Sequence, residues 1–289
     1  MTALCVDLGG TRLRAALLSA AGEAELVGDW PAPADLEAFR RRVGSLIDAH
    51  GVSNIGVAVP GLASGSVCRW APNLPYLDGL DLAAMFSGVT VALGNDARLA
   101  LLAEAALGAA RNASDVILLA IGTGIGSAVL ADGRIVHGRD GAAASFGWAC
   151  ADPSDSGDRT LGWLERNASG TALDAIARRG GWTDARALIA AARGGDDGAR
   201  EALSKPCAAL GAAIAGAVAL LGARSVIVSG GVAEAMDVLA PLILPVLTRH
   251  LPQHLNDVTL APAEFGARAT LIGAGLAAYG HPLWARQGS

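Results

Sequence analysis

The sequence predicts an α/β fold in two similar halves, and three observations carry that expectation. The first is an internal echo: residues 6–22 read VDLGGTRLRAALLSAAG and residues 119–133 read LAIGTGIGSAVLADG. Each is an apolar strand, a turn containing Gly-Thr, a second apolar strand and a further turn with Gly, the pattern of a β-hairpin. Aligning Gly10-Thr11 on Gly122-Thr123 places Ala16-Leu17-Leu18 on Ala128-Val129-Leu130 and Asp7 on Leu119. Two hairpins of one design fit a duplicated domain, while chance sharing of turn chemistry is the plainer alternative. The second observation is the alternation of strands with helices along the rest of the chain, which argues for mainly parallel sheets with crossover helices. The third is composition: 289 residues, 52% of them hydrophobic and 17% charged, are enough for a substantial core and too apolar for disorder.

The remaining elements follow in order. Ala34–His50 reads as an amphipathic helix with Leu36, Phe39, Val43, Leu46 and Ile47 on one face. Ile55–Val59 is a buried strand stopped by Pro60-Gly61. Val89–Leu93 is another, leading through Gly94-Asn95-Asp96 into a helical run that ends at Gly108. Val116–Ala120 opens the second half, and Cys207–Leu221 reads as a buried Ala- and Gly-rich helix. Ser225–Ser229 is a short strand ending at Gly230-Gly231. The helix that follows, from Ala233 to about His250, is expected to be cut at Pro241 and Pro245. Arg268–Tyr279 closes the fold as a helix. The boundary between halves is placed at residues 109–115, giving domains over 1–112 and 113–273, with a C-terminal helix over 274–289 packing back on the first.

Several classes are argued against. A formal charge of −5 gives no electrostatic reason to expect nucleic acid. The N-terminal MTALCVDLGG lacks the charged region and cleavage site of a signal peptide, and no run of 18 apolar residues suggests a membrane span. Cys5, Cys68, Cys150 and Cys207 are widely spaced, so free thiols in a reducing cytoplasm are expected, and the Asn-x-Ser triplets at Asn112 and Asn167 carry no glycosylation meaning.

The residues that carry chemistry cluster at the turns. A Gly-rich hairpin turn exposes backbone N–H groups and admits a phosphate closely. Gly9, Gly10, Thr11 and Arg12 in the first half, and Gly122, Thr123, Gly124 and Gly126 in the second, form two such turns, one per half, suited to a polyphosphate such as that of ATP. Neither turn leads into a helix, so neither is a dinucleotide fingerprint. Asp7 adds a carboxylate where the Mg²⁺ of a nucleotide could be held. Gly230 and Gly231 lie between a strand and a helix, either to support a nucleotide base or ribose or as a plain turn. Asn95-Asp96 stands at a strand end and helix start. Helix capping explains it. So does catalysis, with Asp96 taking the proton of an acceptor hydroxyl and Asn95 bonding a neighbouring hydroxyl.

Taken together, these motifs resemble the ROK family of bacterial sugar kinases and sugar-responsive repressors, essentially end to end. VDLGGTRLRAAL resembles the first phosphate motif, GVAVPG ending at Gly61 the strand between motifs, and APNLPY around Asn73 a substrate loop. GNDARLALLAEAALG resembles the Asn-Asp helix, LAIGTGIGSAVLADGRIVHG the second phosphate motif, VIVSGGV the adenosine motif and ATLIGAGLAAYG the closing helix. The resemblance implies a two-domain actin/hexokinase-like (ribonuclease H-like) fold with a duplicated βββαβα core and an interdomain cleft. It implies MgATP-dependent phosphorylation of a sugar, by family analogy at a hexose 6-hydroxyl. Asp96 would be the general base; Gly61, Asn73, Asn95 and Glu165, the last within GWLERNASGTAL, would be sugar-side residues. It also implies a homodimer. The repressors of the family carry an N-terminal DNA-binding domain, whereas here the first phosphate motif begins at residue 6.

The chain departs from the family at one place. Where an E-x-G-H signature is usual, Ser145 replaces the Glu and Trp148 the His, and the following cysteine cluster is missing, with Trp163 at its last position. The resemblance therefore implies no structural zinc. Cys150 alone cannot replace the site, and His250 and His254 are separated by Pro252. The same changes remove two sugar ligands. Ser145 and Trp148 then line the acceptor end, with Trp148 either a platform for a sugar face or filler of the space vacated by zinc. An amino sugar, deoxy sugar, cyclitol or glycoside is expected as acceptor rather than plain glucose.

Overall fold

The computed structural model describes residues 2–284, which fold into two compact units: residues 2–112, 133–143 and 264–284 form the first, and residues 113–132 and 144–263 the second. The segment 133–143 thus belongs with the first unit, as does the chain from 264 onward, ten residues earlier than the sequence suggests.

The first unit is built on β1 (Thr2–Leu8), β2 (Arg12–Ser19), β3 (Ala24–Pro31), α1 (Leu36–His50), β4 (Asn54–Val59), the small ribbon β5 (Leu62–Ser64) and β6 (Val67–Trp70), the short α2 (Leu82–Met85), β7 (Thr90–Asn95) and α3 (Asp96–Leu107). Its sheet has the order β3-β2-β1-β4-β7, antiparallel through the hairpin and parallel from β1 to β7. The helix α1 starts one residue after Asp35, whose carboxylate accepts from the Ala38 amide at 2.8 Å, and buries Phe39, Val43 and Leu46 in the core.

The second unit contains β8 (Val116–Ile121) and β9 (Ile125–Ala131). The short β10 (Arg134–Ile135) lies in the first unit's second segment. There follow α4 (Trp163–Ala168), α5 (Gly170–Arg179), α6 (Ala185–Arg193), α7 (Asp197–Leu221), β11 (Ser225–Ser229), α8 (Met236–Arg249) and β12 (Thr259–Pro262). Within this unit the strands lie in the order β9-β8-β11-β12, the same arrangement as β2-β1-β4-β7. By length and composition α7 could cross a membrane; 56% of its most apolar window is buried, and its inward face belongs to the unit's core.

The duplication is visible in burial as well as topology. Residues 3–8 and 116–121 share one inside–outside pattern, offset by 113, and residues 13–19 and 125–131 share nearly another, offset by 112. The first turn is therefore one residue longer than the second, as the closing pairs Leu8–Leu13 and Ile121–Ile125 show. The echo of Asp7 is consequently Ala120, not Leu119.

Two further expectations are corrected. The helix α8 runs through Pro241 and Pro245 without a break. Both prolines are exposed and four residues apart, so the carbonyls they leave unbonded, on Asp237 and Pro241, lie toward water. The closing helix α9 spans Ala269–Ala278, shorter than 274–289 implied at its C-terminal end; Gly280 is left-handed (φ 71°), Pro282 follows, and residues 285–289 lie outside the described part of the chain.

Helix α9 belongs to the first unit and packs against β4 and α3 at backbone distance. A Cβ at Gly56 would stand 1.9 Å from the Ala274 carbonyl oxygen, and one at Gly273 would stand 1.7 Å from that of Leu99. Gly44, on the outer part of α1, has nothing within 4 Å of the same position. Gly273→Ala should therefore lower the denaturant midpoint by the equivalent of about 1–3 kcal/mol or more, while Gly44→Ala should raise it by about 0.5–1 kcal/mol. Equal effects at the two sites would contradict the close packing of α9.

Candidate active site

In the first unit the site is organised around the junction of β7 and α3. Asn95 caps α3, its Oδ1 accepting from the amides of Ala97 (3.0 Å) and Arg98 (3.4 Å). Its Nδ2 donates to the Gly61 carbonyl at 3.1 Å. Gly61 is left-handed (φ 103°), and a Cβ there would meet the Trp70 carbonyl at 2.3 Å. Capping and site-building are thus one arrangement. Three sequence candidates, Gly61, Asn95 and Asp96, are brought together by a single amide side chain that bonds both the Gly61 carbonyl and the Asp96 carboxylate.

Asp96 is half-buried at the first position of α3, its carboxylate accepting from the Ala97 amide at 2.8 Å. Burial pushes it up to about 6, with the Asp7 charge adding to the rise and the Ala97 bond opposing it. The first glycine turn lies in the same unit: the Gly9 amide donates to the Arg12 carbonyl at 2.9 Å, and Gly10 is so close to the exposed Asn73 that a Cβ would approach its Cβ to 2.8 Å. The first glycine turn and the loop carrying Asn73 therefore touch.

Two arginines beside this turn are already engaged. Arg14, not among the candidates read from the sequence, donates to the Asp7 carboxylate across the hairpin, where the two are register partners. Cross-strand pairing of opposite charges was the signal that could have found it. Arg12 pairs with Asp29 of β3 at 2.6 Å and is more than half exposed. The structure thus ties Arg12 to the sheet edge.

In the second unit the glycine turn is clamped from behind by the start of α5. The Gly170 amide donates to the Gly122 carbonyl at 2.7 Å, and the Thr171 hydroxyl to that of Thr123 at 2.9 Å. The Gly122 amide closes the turn on the Gly124 carbonyl at 3.0 Å. Glu165, on α4, lies between two glycines: a Cβ at Gly124 would stand 2.6 Å from Oε1, and one at Gly147 would stand 2.9 Å from Oε2. Gly126 is exposed on β9 beside the turn. Gly230 is left-handed (φ 81°) and packs on the Ile121 carbonyl, while Gly231 has nothing within 4 Å of a Cβ position, like Gly122. Arg193 fixes the chain just beyond, with two bonds to Asp237 (2.6 and 2.7 Å) and one to the Glu234 carbonyl (3.3 Å).

Ser145 is exposed and precedes a short turn of helix over Phe146–Trp148. Trp148 is 50% exposed, so it does not act as buried filler. The stretch after it is held by side chains: Arg166 pairs with Asp155 (2.9 Å), Asp152 accepts from Ser154, and Asp158 accepts from the amides of Thr160 and Leu161. Arg166 holds Asp155 below the usual carboxylate range. Among the described residues no group of three His, Cys, Asp or Glu side chains is placed to hold a metal ion.

The raised value of Asp96 has a consequence for stability that does not depend on activity. With the folded-state value near 6 and the ordinary one at 3.8, the folded protein favours the protonated acid. That contribution is complete below pH 4 and is lost as pH rises through 6. Asp96→Asn should therefore be more stable than the parent at pH 7.5, by on the order of 1–3 kcal/mol, and the difference should vanish by pH 4 in denaturant titrations. Equal stability at both pH values would show the carboxylate to be well solvated.

Comparison with known proteins agrees with this arrangement. The glucokinase of Thermotoga maritima is 29% identical over 93% of this chain and 94% of its own length. The N-acetylmannosamine kinase of Escherichia fergusonii is 30% identical over 98% of this chain and all of its own. The solved ROK hexokinase of Thermus thermophilus superposes with a TM-score of 0.80 at 28% identity, covering 96% of this chain and 98% of the other. The architecture is the actin/hexokinase-like one that such kinases share. The model of the ROK family matches residues 3–280, and the chain belongs to that family.

Proposed function

We propose that this protein is an ATP-dependent sugar kinase in which Asp96 is the general base. The observation that carries the reading is the carboxylate itself, seated by Asn95 at the end of β7 and raised to about 6, close to the pH at which it must accept a proton. Relatives over nearly the whole chain are named glucokinase and N-acetylmannosamine kinase. Asp96 takes the proton of a sugar hydroxyl, taken by analogy to be a hexose 6-hydroxyl, as its oxygen bonds the γ-phosphorus; the bond to the leaving oxygen breaks and ADP departs.

The glycines support the nucleotide assignment. At Gly122 and Gly231 the backbone is ordinary and the space a Cβ would fill is empty, so the chain itself does not require glycine there. A phosphate or ribose approaching the backbone would require it. The Mg²⁺ that travels with ATP would find Asp7 as a ligand once Arg14 is drawn to phosphate oxygens, an exchange one arginine can make. On the sugar side Asn95, Asn73, the Gly61 turn and Glu165 offer hydrogen-bonding groups, Ser145 a hydroxyl, and Trp148 an exposed indole face for stacking. That set favours an amino sugar, deoxy sugar, cyclitol or glycoside over plain glucose. The described cysteines are all unpaired, which fits action in the cytoplasm, and a homodimer follows the family pattern.

Gly122→Ala and Gly231→Ala should leave the thermal midpoint within about 2 °C and weaken ATP binding tenfold or more by calorimetry. Unchanged affinity in both would remove these turns from the nucleotide site. In a coupled ADP-release assay across glucose, mannose, N-acetylated and free amino sugars, cyclitols and glycosides, one class other than glucose should turn over. Its kcat/KM should fall below a pH of roughly 6, and Asp96→Asn should reduce kcat by at least about 10³-fold. ATP binding without turnover of any acceptor would instead favour a catalytically idle sugar- or nucleotide-binding protein.

A further inference from the structure

Helix α3 carries a second carboxylate, Glu104, that the proposed chemistry does not use. It is fully buried, 0% exposed, nine residues after the N-cap Asn95. Five backbone amides converge on it. Its carbonyl accepts from Gly108 (3.1 Å) and Ala110 (3.0 Å). Its carboxylate accepts from Ala109 at 2.9 Å and Glu264 at 3.1 Å, both on Oε2, and from Phe265 at 2.9 Å on Oε1. Gly108 makes room for it, since a Cβ there would stand 2.4 Å from Oε2 and 2.8 Å from the Phe265 ring.

The places where these amides lie give the arrangement its meaning. The chain leaves the first unit after residue 112 and returns at residue 264. Ala109 and Ala110 are the approach to the first passage, which ends on Asn112 in a left-handed conformation (φ 69°). Glu264 and Phe265 are the first residues after the second. Two chain segments more than 150 residues apart in sequence are thus fastened, on the first unit's side, to one carboxylate of the helix whose first residue is Asp96. Charge-assisted bonds to main-chain amides fix direction as well as distance. An apolar residue would fill the same space without fixing either.

We propose that Glu104 is a positioning residue for the phosphoryl transfer, coupling both of these chain passages to the helix that carries Asp96. A change in the course of either segment is then transmitted to the base through α3. This rests on the kinase reading for its kinetic consequence, and on the hydrogen-bond geometry alone for its mechanical one.

The test is hydrogen exchange on the full chain together with kinetics of Glu104→Gln. In the parent protein the amides of Ala109, Glu264 and Phe265 should exchange through a common opening, with protection within about threefold of one another and above that of Arg111 and Gly266. Free exchange at 264 and 265 beside a protected 109 would overturn the proposal. In Glu104→Gln one oxygen becomes a donor facing an amide donor, so the three amides should lose protection together while those of β4 keep theirs. At a temperature where circular dichroism shows the variant folded, kcat should fall at least tenfold with KM for ATP and for the acceptor within threefold. A folded variant with the parental kcat would sink the positioning role and leave a structural one. If the parent turns over no acceptor, the kinase reading fails by itself and the exchange arm still decides the coupling; if Glu104→Gln does not fold, the exchange pattern of the parent decides it.

Discussion

The geometry of the first unit depends on the two ends of one amide. Asn95 closes the last residue of β7 onto the first turn of α3 through Oδ1 and reaches the Gly61 carbonyl through Nδ2. Its strand is fixed beside β4 by a parallel register in which Val59 faces Asn95, so the carbonyl of Gly61 arrives only two residues later. Moving any of these would move Asp96, which has no freedom of its own at the first position of a helix packed along nearly its whole length. The raised value of Asp96 is the cost of that placement. The same burial that would destabilise an idle carboxylate leaves it able to take a proton near neutral pH.

The second unit solves a different problem, holding a glycine turn open without side chains of its own. The turn is stiffened from behind by Gly170 and Thr171, and its inner flank is occupied by Glu165, pressed against Gly124 and Gly147. A proposed sugar ligand is therefore packed directly on a proposed phosphate turn. The stretch from 152 to 161 is organised by Asp-capped turns and the Arg166–Asp155 pair. Such pairs are weak holders at a surface, where water and salt screen them. The stretch that follows Trp148 consequently rests on several modest interactions acting together.

Much of the fold was legible because it is written in local periodicity. The helix α1, its cap excepted, the strand β11 and both hairpins follow from spacing of apolar residues and from turn chemistry. What escaped was whatever depends on a count or on distance in sequence. The one-residue difference between the two turns is invisible when motifs are aligned on Gly-Thr, so Asp7 was matched to Leu119 in place of Ala120. Prolines 241 and 245 read as breaks because the sequence does not say that both face water on one side of α8. In the site, Asp96, Asn95, Gly61 and the open glycines were readable as types with known chemistry. Arg14, Arg98 and Glu104 were not, for their partners lie across a hairpin or in segments brought near only by the fold.

The two buried charges of α3 argue that this helix is held for geometry rather than for stability. Arg98, 3% exposed, bonds the carbonyls of Gly141 and Ala143, the latter at 3.3 Å. Glu104 binds amides at 109, 264 and 265. Removing a guanidinium and a carboxylate from water costs several kcal/mol each, and apolar residues of like volume commonly serve stability as well or better. What an apolar pair cannot do is choose a direction for the backbone beside it. These bonds of Arg98 and Glu104 reach main-chain atoms, and every segment they grip ends within four residues of a place where the chain leaves or re-enters the first unit. The polar interior of α3 is thus spent on aiming those passages from the helix that begins with Asp96.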